Sequence, residues 1–147
     1  LDLLPTFCDL SGIPIPETVQ GKSLKPVLFG KSKKIREVLY GVYCGGTKPG
    51  IRAVRKGDWK LIKYDTMDSE IRQTQLFNLK QNPEELLSYH HSEKIIAKTK
   101  NTPTDLQRNL SGNPAYAEKL QEMENLLLLE MKKYKDPYRL WNQVDDL

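Results

Sequence analysis

PGIRAVRKGDWKLIKY, residues 49–64, reads as a β-hairpin turning at Gly57 and Asp58. Glycine supplies the positive φ that a two-residue hairpin turn demands and aspartate tolerates it, so the flanking runs pair directly across the turn. Counting outward, Val54 faces Leu61 and Ala53 faces Ile62. Val54, Trp59 and Leu61 then share one face, and Ile51, Ala53, Ile62 and Tyr64 the other, which predicts a sheet covered on both sides at its centre. Arg52, Arg55, Lys56, Lys60 and Lys63 are expected at the ends and margins. Two strands are marginal alone in water, so further elements must cover them.

Working upstream, REVLYGVYC (36–44) alternates Val38, Tyr40 and Val42 against Leu39 and Tyr43, the pattern of a strand, and GGTKPG (45–50) is a loop leading into the hairpin. Downstream, EIRQTQLFNL (70–79) supplies a fourth strand, with DTMDSE (65–70) polar enough to be an exposed turn. Asn82 followed by Pro83 has the form of a helix start. Residues 88–112 carry little periodicity beyond a helix expected around Glu93 to Lys98. Asn113 with Pro114 opens the longest helix, in which Tyr116, Leu120, Met123, Leu127, Met131 and Tyr134 recur on one face. That stripe should lie across the sheet, Asp136 and Pro137 should end the helix, and YRLW (138–141) should pack back. The expected class is α+β, a small four-stranded antiparallel sheet against a long C-terminal helix.

The beginning of the chain differs in kind. Asp2 is positioned to cap a short helix, LLPTFCDLS, that groups Leu3, Leu4, Phe7 and Leu10 and ends at Gly12. A helix this short does not hold itself together in water. It needs a partner body that nothing downstream supplies. Residues 13–34 read as an ordered connection with one helical turn at SLKPVLFG and a basic tip.

The 147 residues suffice for one domain with a real core. No run approaches the roughly 20 apolar residues of a membrane span. The first residue is Leu1, with no basic region or cleavage site behind it, which reads as a cut or trimmed end. A net charge of +4 suits a polyanionic partner only where it is clustered, as in GKSKKIR (30–36) and the hairpin; the plainer reading is a solvated lysine surface. Cys8 and Cys44 indicate neither a disulfide framework nor a metal site.

Catalytic constellations are scarce. His90 and His91 are adjacent, so on a helix they diverge by about 100° and do not chelate one ion. Glu84 with Glu85 and Asp145 with Asp146 have no acid, base or cation arranged around them. GGTKPG precedes a strand, which fails the context test for a phosphate-cradling loop. A nucleic-acid module would use Trp59, Tyr64 and Phe77 as stacking platforms beside the lysines. Trp59, however, shares a face with Val54 and Leu61 and is better suited to the core.

The order of segments is informative where each alone is not. DLLPTFCDLSGI, GKSLKPVLFG, IRAVRKGDWKLIKYD, QLFNLKQNPEEL and NPAYAEKLQEMENLLLLEMKKYKDPYRLW together resemble the C-terminal part of formylglycine-dependent sulfatases, arylsulfatase-like enzymes of the alkaline phosphatase superfamily. Residues 87–109, with Tyr89, His90 and His91, depart from the family as an apparent insertion.

The resemblance implies a two-part enzyme whose large N-terminal α/β domain carries the nucleophile, a formylglycine made from the Cys or Ser of C/S-x-P-x-R, and the calcium ligands. Neither Cys8 nor Cys44 stands in that context. Residues 1–34 are then the tail of the large domain and its connection, and 35–147 the C-terminal subdomain. No catalytic residue, metal ligand or cofactor is expected in this fragment, which alone should be inactive. Its partners are the N-terminal domain and a sulfated carbohydrate, with no nucleic acid. By position Thr47, Lys48 and Arg52 are the substrate-binding candidates, where ammonium and guanidinium groups suit sulfate or uronate. A periplasmic or extracellular location follows from the family only. The orphaned first helix predicts that the isolated chain self-associates or leaves residues 1–34 mobile. The alternatives are a stand-alone module binding sulfated glycans and a basic nucleic-acid binder.

Overall fold

Gly57 at the hairpin turn has φ +58, and the strands it joins pair in the register that a two-residue turn sets, Val54 with Leu61 and Ala53 with Ile62. The computed structural model describes residues 1–44, 50–67 and 69–143. The chain divides into two compact units, Leu1–Glu37 and Val38–Leu147.

The larger unit is built on four strands, β1 (Val38–Tyr43), β2 (Gly50–Lys56), β3 (Trp59–Thr66) and β4 (Ile71–Asn78). They form an antiparallel sheet in sequence order. Residues opposite one another share a face, so Tyr40, Val54, Leu61 and Leu76 form one row. Val54, Leu61 and Leu76 pack against Met123, Leu127 and Met131 of the long helix, with Leu110 and Leu140 completing the cluster. Each such side chain contributes roughly 1.5–3 kcal/mol by leaving water. The opposite face buries Ile62, Phe77 and Gln75. The expected α+β class and the helix stripe are therefore both present.

Among the described residues the α-helices of this unit are α3 (Glu93–Thr99) and α4 (Ala117–Lys133); they are numbered after α1 (Leu3–Ser11) and α2 (Lys25–Leu28) of the smaller one. α4 begins later than Asn113 and Pro114 suggest. A 3-10 turn over Pro114–Tyr116 intervenes, and the Asn113 side chain accepts from the Ala115 N–H at 3.0 Å. The last expected member of the stripe, Tyr134, lies past the helix end, 37% exposed, and stacks on Tyr40 with centroids 5.6 Å apart.

Four expectations are corrected. Asn82 does not start a helix: its side chain accepts from the Leu86 N–H at 2.9 Å and donates to the Leu86 carbonyl at 3.1 Å, closing a loop instead. DTMDSE is not wholly an exposed turn, because Asp65 belongs to β3 and is buried. Arg52 and Lys63 do not lie at the margins; they are 5% and 2% exposed on the helix-facing side of the sheet, two residues along from Val54 and Leu61. Asp2 stands at the N-cap of α1, its carbonyl accepting from the Thr6 N–H at 3.1 Å, but its side chain makes no cap hydrogen bond. Its carboxylate instead takes the Lys22 N–H at 2.9 Å and both Arg36 Nη groups at 2.8 and 2.5 Å. The hydrogen bond from Arg36 holds this carboxyl below the usual aspartate range.

In the smaller unit, Gly12 ends α1 with φ +71 and donates its N–H to the Cys8 carbonyl. Thr6 ties α1 to the connection, its hydroxyl accepting from the Leu24 N–H at 2.9 Å. Asp9 adds contacts from Ser23 at 2.7 Å and Lys25 at 3.0 Å. Thus α1 buries Pro5 and Thr6, while Leu3, Leu4, Phe7 and Leu10 remain 45–65% exposed.

Candidate functional site

The helix-facing side of the sheet is apolar over one half and charged over the other. Arg52 of β2 and Asp136, beyond the end of α4, form a two-pronged ion pair, with Nε to Oδ2 and Nη2 to Oδ1 both at 3.0 Å. Each side chain is only 6% exposed. The Tyr40 hydroxyl of β1 donates to Asp136 Oδ2, and the Tyr138 N–H donates to Oδ1 at 2.9 Å. The Tyr138 ring carries the Arg52 guanidinium 4.3 Å from its centroid, and its hydroxyl donates to Asp65 Oδ2 at 2.5 Å. Arg72 approaches Asp65 Oδ1 at 3.4 Å.

Burial alone would raise the Asp136 carboxyl, but the hydrogen bonds from Arg52, Tyr40 and the Tyr138 N–H outweigh it and hold the group below the usual carboxylate range. Burial, and then the carboxylates they face, push the phenols of Tyr40 and Tyr138 well above their ordinary value. Both phenols therefore remain neutral donors at any physiological pH. Such a cluster has no free base or nucleophile to offer. Its chemistry is anchorage, joining β1, β2 and β3 to the segment after α4.

Lys63, directly opposite Arg52 across the β2–β3 pair, is the centre of a second polar cluster. Its Nζ donates to Thr74 Oγ1 at 2.8 Å and to Glu124, and lies 5.3 Å from the Trp141 ring centroid. Beside these clusters Asn125, Leu128, Lys132, Tyr138 and Gln143 line an open groove of about 540 Å³.

Of the three substrate-binding candidates, Arg52 lies in the buried pair, and Thr47 and Lys48 lie outside the described residues. The flanks of that segment are described. Gly50 has φ +91, and a Cβ there would meet the Tyr43 carbonyl oxygen at 2.7 Å and Cys44 Cα at 2.9 Å. The two chain ends thus approach to a distance that only glycine permits. Asp136, Asp65 and Tyr138 were not identified from the sequence as members of a site. The available signal was parity: Arg52 shares the Val54 side of the strand, so its charge had to meet a partner under the helix.

The remaining candidates resolve to structural roles. His90 Nδ1 accepts from the Leu87 N–H at 2.8 Å, and His91 Nε2 lies 2.9 Å from the Gln107 carbonyl. Phe77 is 1% exposed and Trp59 packs against the core beside Tyr116, so neither is presented to a nucleic-acid base. Cys8 and Cys44 are not joined in a disulfide. Among the described residues no group of three or more His, Cys, Asp or Glu side chains is arranged to hold a metal ion, so the described residues do not fit the calcium of a sulfatase. No described helix is long and apolar enough to cross a membrane.

A four-stranded antiparallel sheet beneath one long helix is the architecture of a sulfatase C-terminal subdomain. Residues 1–111 match the family described as N-sulphoglucosamine sulphohydrolase, C-terminal, and the chain belongs to that family. It is 27% identical over 143 residues to an N-acetylglucosamine-6-O-sulfatase of Bacteroides thetaiotaomicron, covering 92% of this chain and 21% of the relative. It is 31% identical over 144 residues to a Delta 4,5-hexuronate-2-O-sulfatase of the same organism, covering 95% of this chain and 24% of the relative. A solved structure described as a 2-O GAG sulfatase superposes with a TM-score of 0.68 at 28% identity, over 95% of this chain and 26% of that one. The chain therefore spans between a fifth and a quarter of the length of these curated relatives.

Proposed function

We propose that this chain is the C-terminal part of a sulfuric ester hydrolase acting on sulfated carbohydrate, where it completes the fold and walls the substrate pocket. The carrying observation is the match along residues 1–111 to a sulfatase C-terminal family, together with full-length relatives that extend about four times further. In this reading residues 1–34 are the last elements of the N-terminal α/β domain and 35–147 are the subdomain. The division of the structure at Glu37 and Val38 is consistent with that assignment. The exposed Leu3, Leu4, Phe7 and Leu10 form the face that the N-terminal domain covers. Without that cover, the same face makes the isolated chain self-associate or leaves residues 1–34 mobile.

The formylglycine nucleophile and its calcium belong to the N-terminal domain, where they supply the covalent and metal-ion chemistry of ester cleavage. From this chain, Thr47 and Lys48 reach the substrate. Arg52, held by Asp136, fixes the strand that follows them rather than meeting sulfate itself. The whole protein is exported to the periplasm or the extracellular space, where sulfated polysaccharide is encountered.

The test is sulfate release by the full-length protein from a panel of sulfated mono- and disaccharides, alongside the 147-residue chain. The expected result is release by the former on at least one saccharide and none by the latter. Release by the short chain, or an upstream reading frame lacking C/S-x-P-x-R, contradicts the proposal.

A further inference from the structure

The smaller unit holds six basic residues and four acidic ones, and it uses them unevenly. Arg36 is paired with Asp2, Lys25 with Asp9, and Lys34 with Glu37. Lys31 and Lys33 have no carboxylate within 4 Å among the described residues, and both are exposed. Three of the four acids are thus committed elsewhere, and the positive charge of the tip stands unneutralised.

The backbone carrying these two ammonium groups is fixed rather than loose. The Pro26 carbonyl accepts from the Lys31 N–H at 2.7 Å and the Ser32 N–H at 3.0 Å, and Gly30 turns with φ +68. The Ser32 hydroxyl donates to the Lys34 carbonyl at 2.6 Å and accepts from the Lys34 N–H at 3.3 Å. Just before the turn, Phe29 is 63% exposed at the end of α2. An exposed apolar ring two and four residues before two unneutralised lysines on one pre-set turn suits a sulfated sugar, whose ring carries C–H faces as well as anionic ester groups. Pre-organisation lowers the ordering cost of such a contact.

We infer that the tip formed by Phe29, Lys31 and Lys33 is a binding site for sulfated glycan. The inference rests on the sulfated-carbohydrate reading above. A contact of this kind retains a polymeric substrate between cleavage events and raises its local concentration.

Binding of a fluorescent heparin oligosaccharide to the full-length protein, read by anisotropy over a salt series, tests it. The comparison is between wild type, Lys31→Gln with Lys33→Gln, Phe29→Ala, and a control with the same charge change on α3, Lys94→Gln with Lys98→Gln. The expected result is binding about tenfold weaker, with a shallower salt dependence, for the tip double variant, and an unchanged affinity for the control. Phe29→Ala is expected to weaken binding at every salt concentration. Equal loss in tip and control variants, no loss in the tip variant, or equally tight binding of a DNA oligonucleotide would overturn it. Sulfate release by the full-length protein is measured separately, so a tip that binds nothing refutes this site and leaves the sulfatase assignment standing.

Discussion

Asp136 illustrates what one side chain does here. Its carboxylate accepts from Arg52, Tyr40 and the Tyr138 backbone inside a site 6% exposed, so removing it takes a two-pronged carboxylate contact from a buried guanidinium. Breaking a buried pair from one side costs about 3–5 kcal/mol. Asp136→Asn should therefore lower stability by about that amount at neutral pH. Because the folded carboxyl titrates below its unfolded value, its contribution is present above about pH 4 and is lost as pH falls through the depressed value. Denaturant melts of wild type and Asp136→Asn should differ most at neutral pH and converge as the pH falls below the usual aspartate range; a gap of constant size would show that the charge is not what stabilises. The sequence did not disclose this pair because its members stand 84 residues apart, and Lys63 and Glu124 stand 61 apart. Parity placed both cations on the helix side, but their charge argued for the margins, and burial was decided by carboxylates that no local pattern connects to them.

At the scale of elements, the hairpin was legible because Gly57 and Asp58 fix a two-residue turn, and the turn fixes every pairing beyond it. The stripe of α4 was legible for a similar reason, since its period is set by helix geometry. Asn82 shows the opposite case. NPEE is a strong local helix start, yet Glu85 sits at φ +54 with both carboxylate oxygens 2.7 Å from Lys60 of β3, and that bond to the sheet prevails over helix propensity. Residues 109–111 were equally unreadable. Asn109 mimics a strand partner for β4, accepting from the Leu76 N–H and donating to the Thr74 carbonyl, both at 2.9 Å, and the Leu110 N–H donates to the Leu76 carbonyl at 2.9 Å, so side chain and backbone together cover that edge. The packing of α4 yields a direct contrast. Leu127, fully buried against the sheet, should cost about 2–5 kcal/mol when changed to Ala. Leu129, 64% exposed two residues along, should cost less than about 0.5 kcal/mol. Chemical denaturation of the two variants decides it, and comparable losses would mean that α4 is rotated from the face described.

Considered whole, the chain is a folded body with its own core joined in sequence to a small unit whose helix presents apolar side chains outward. The larger unit has what independent folding requires, a closed cluster of eight buried apolar side chains with sheet and helix on either side of it. The smaller unit holds itself by polar ties, Asp2 with Arg36 and Asp9 with Lys25, and leaves Leu3, Leu4, Phe7 and Leu10 uncovered. The five ordered segments made the family legible in the sequence, whereas Thr47 and Lys48 were proposed as substrate contacts by position alone, because no local pattern marks them. The account therefore turns on reconstitution. The N-terminal domain of the full-length protein and the 147-residue chain, produced separately, are assayed for sulfate release alone and after mixing. Activity is predicted from the mixture, or from the intact polypeptide, and none from this chain by itself; sulfate release by this chain alone, or undiminished release by the N-terminal domain without it, would contradict the account.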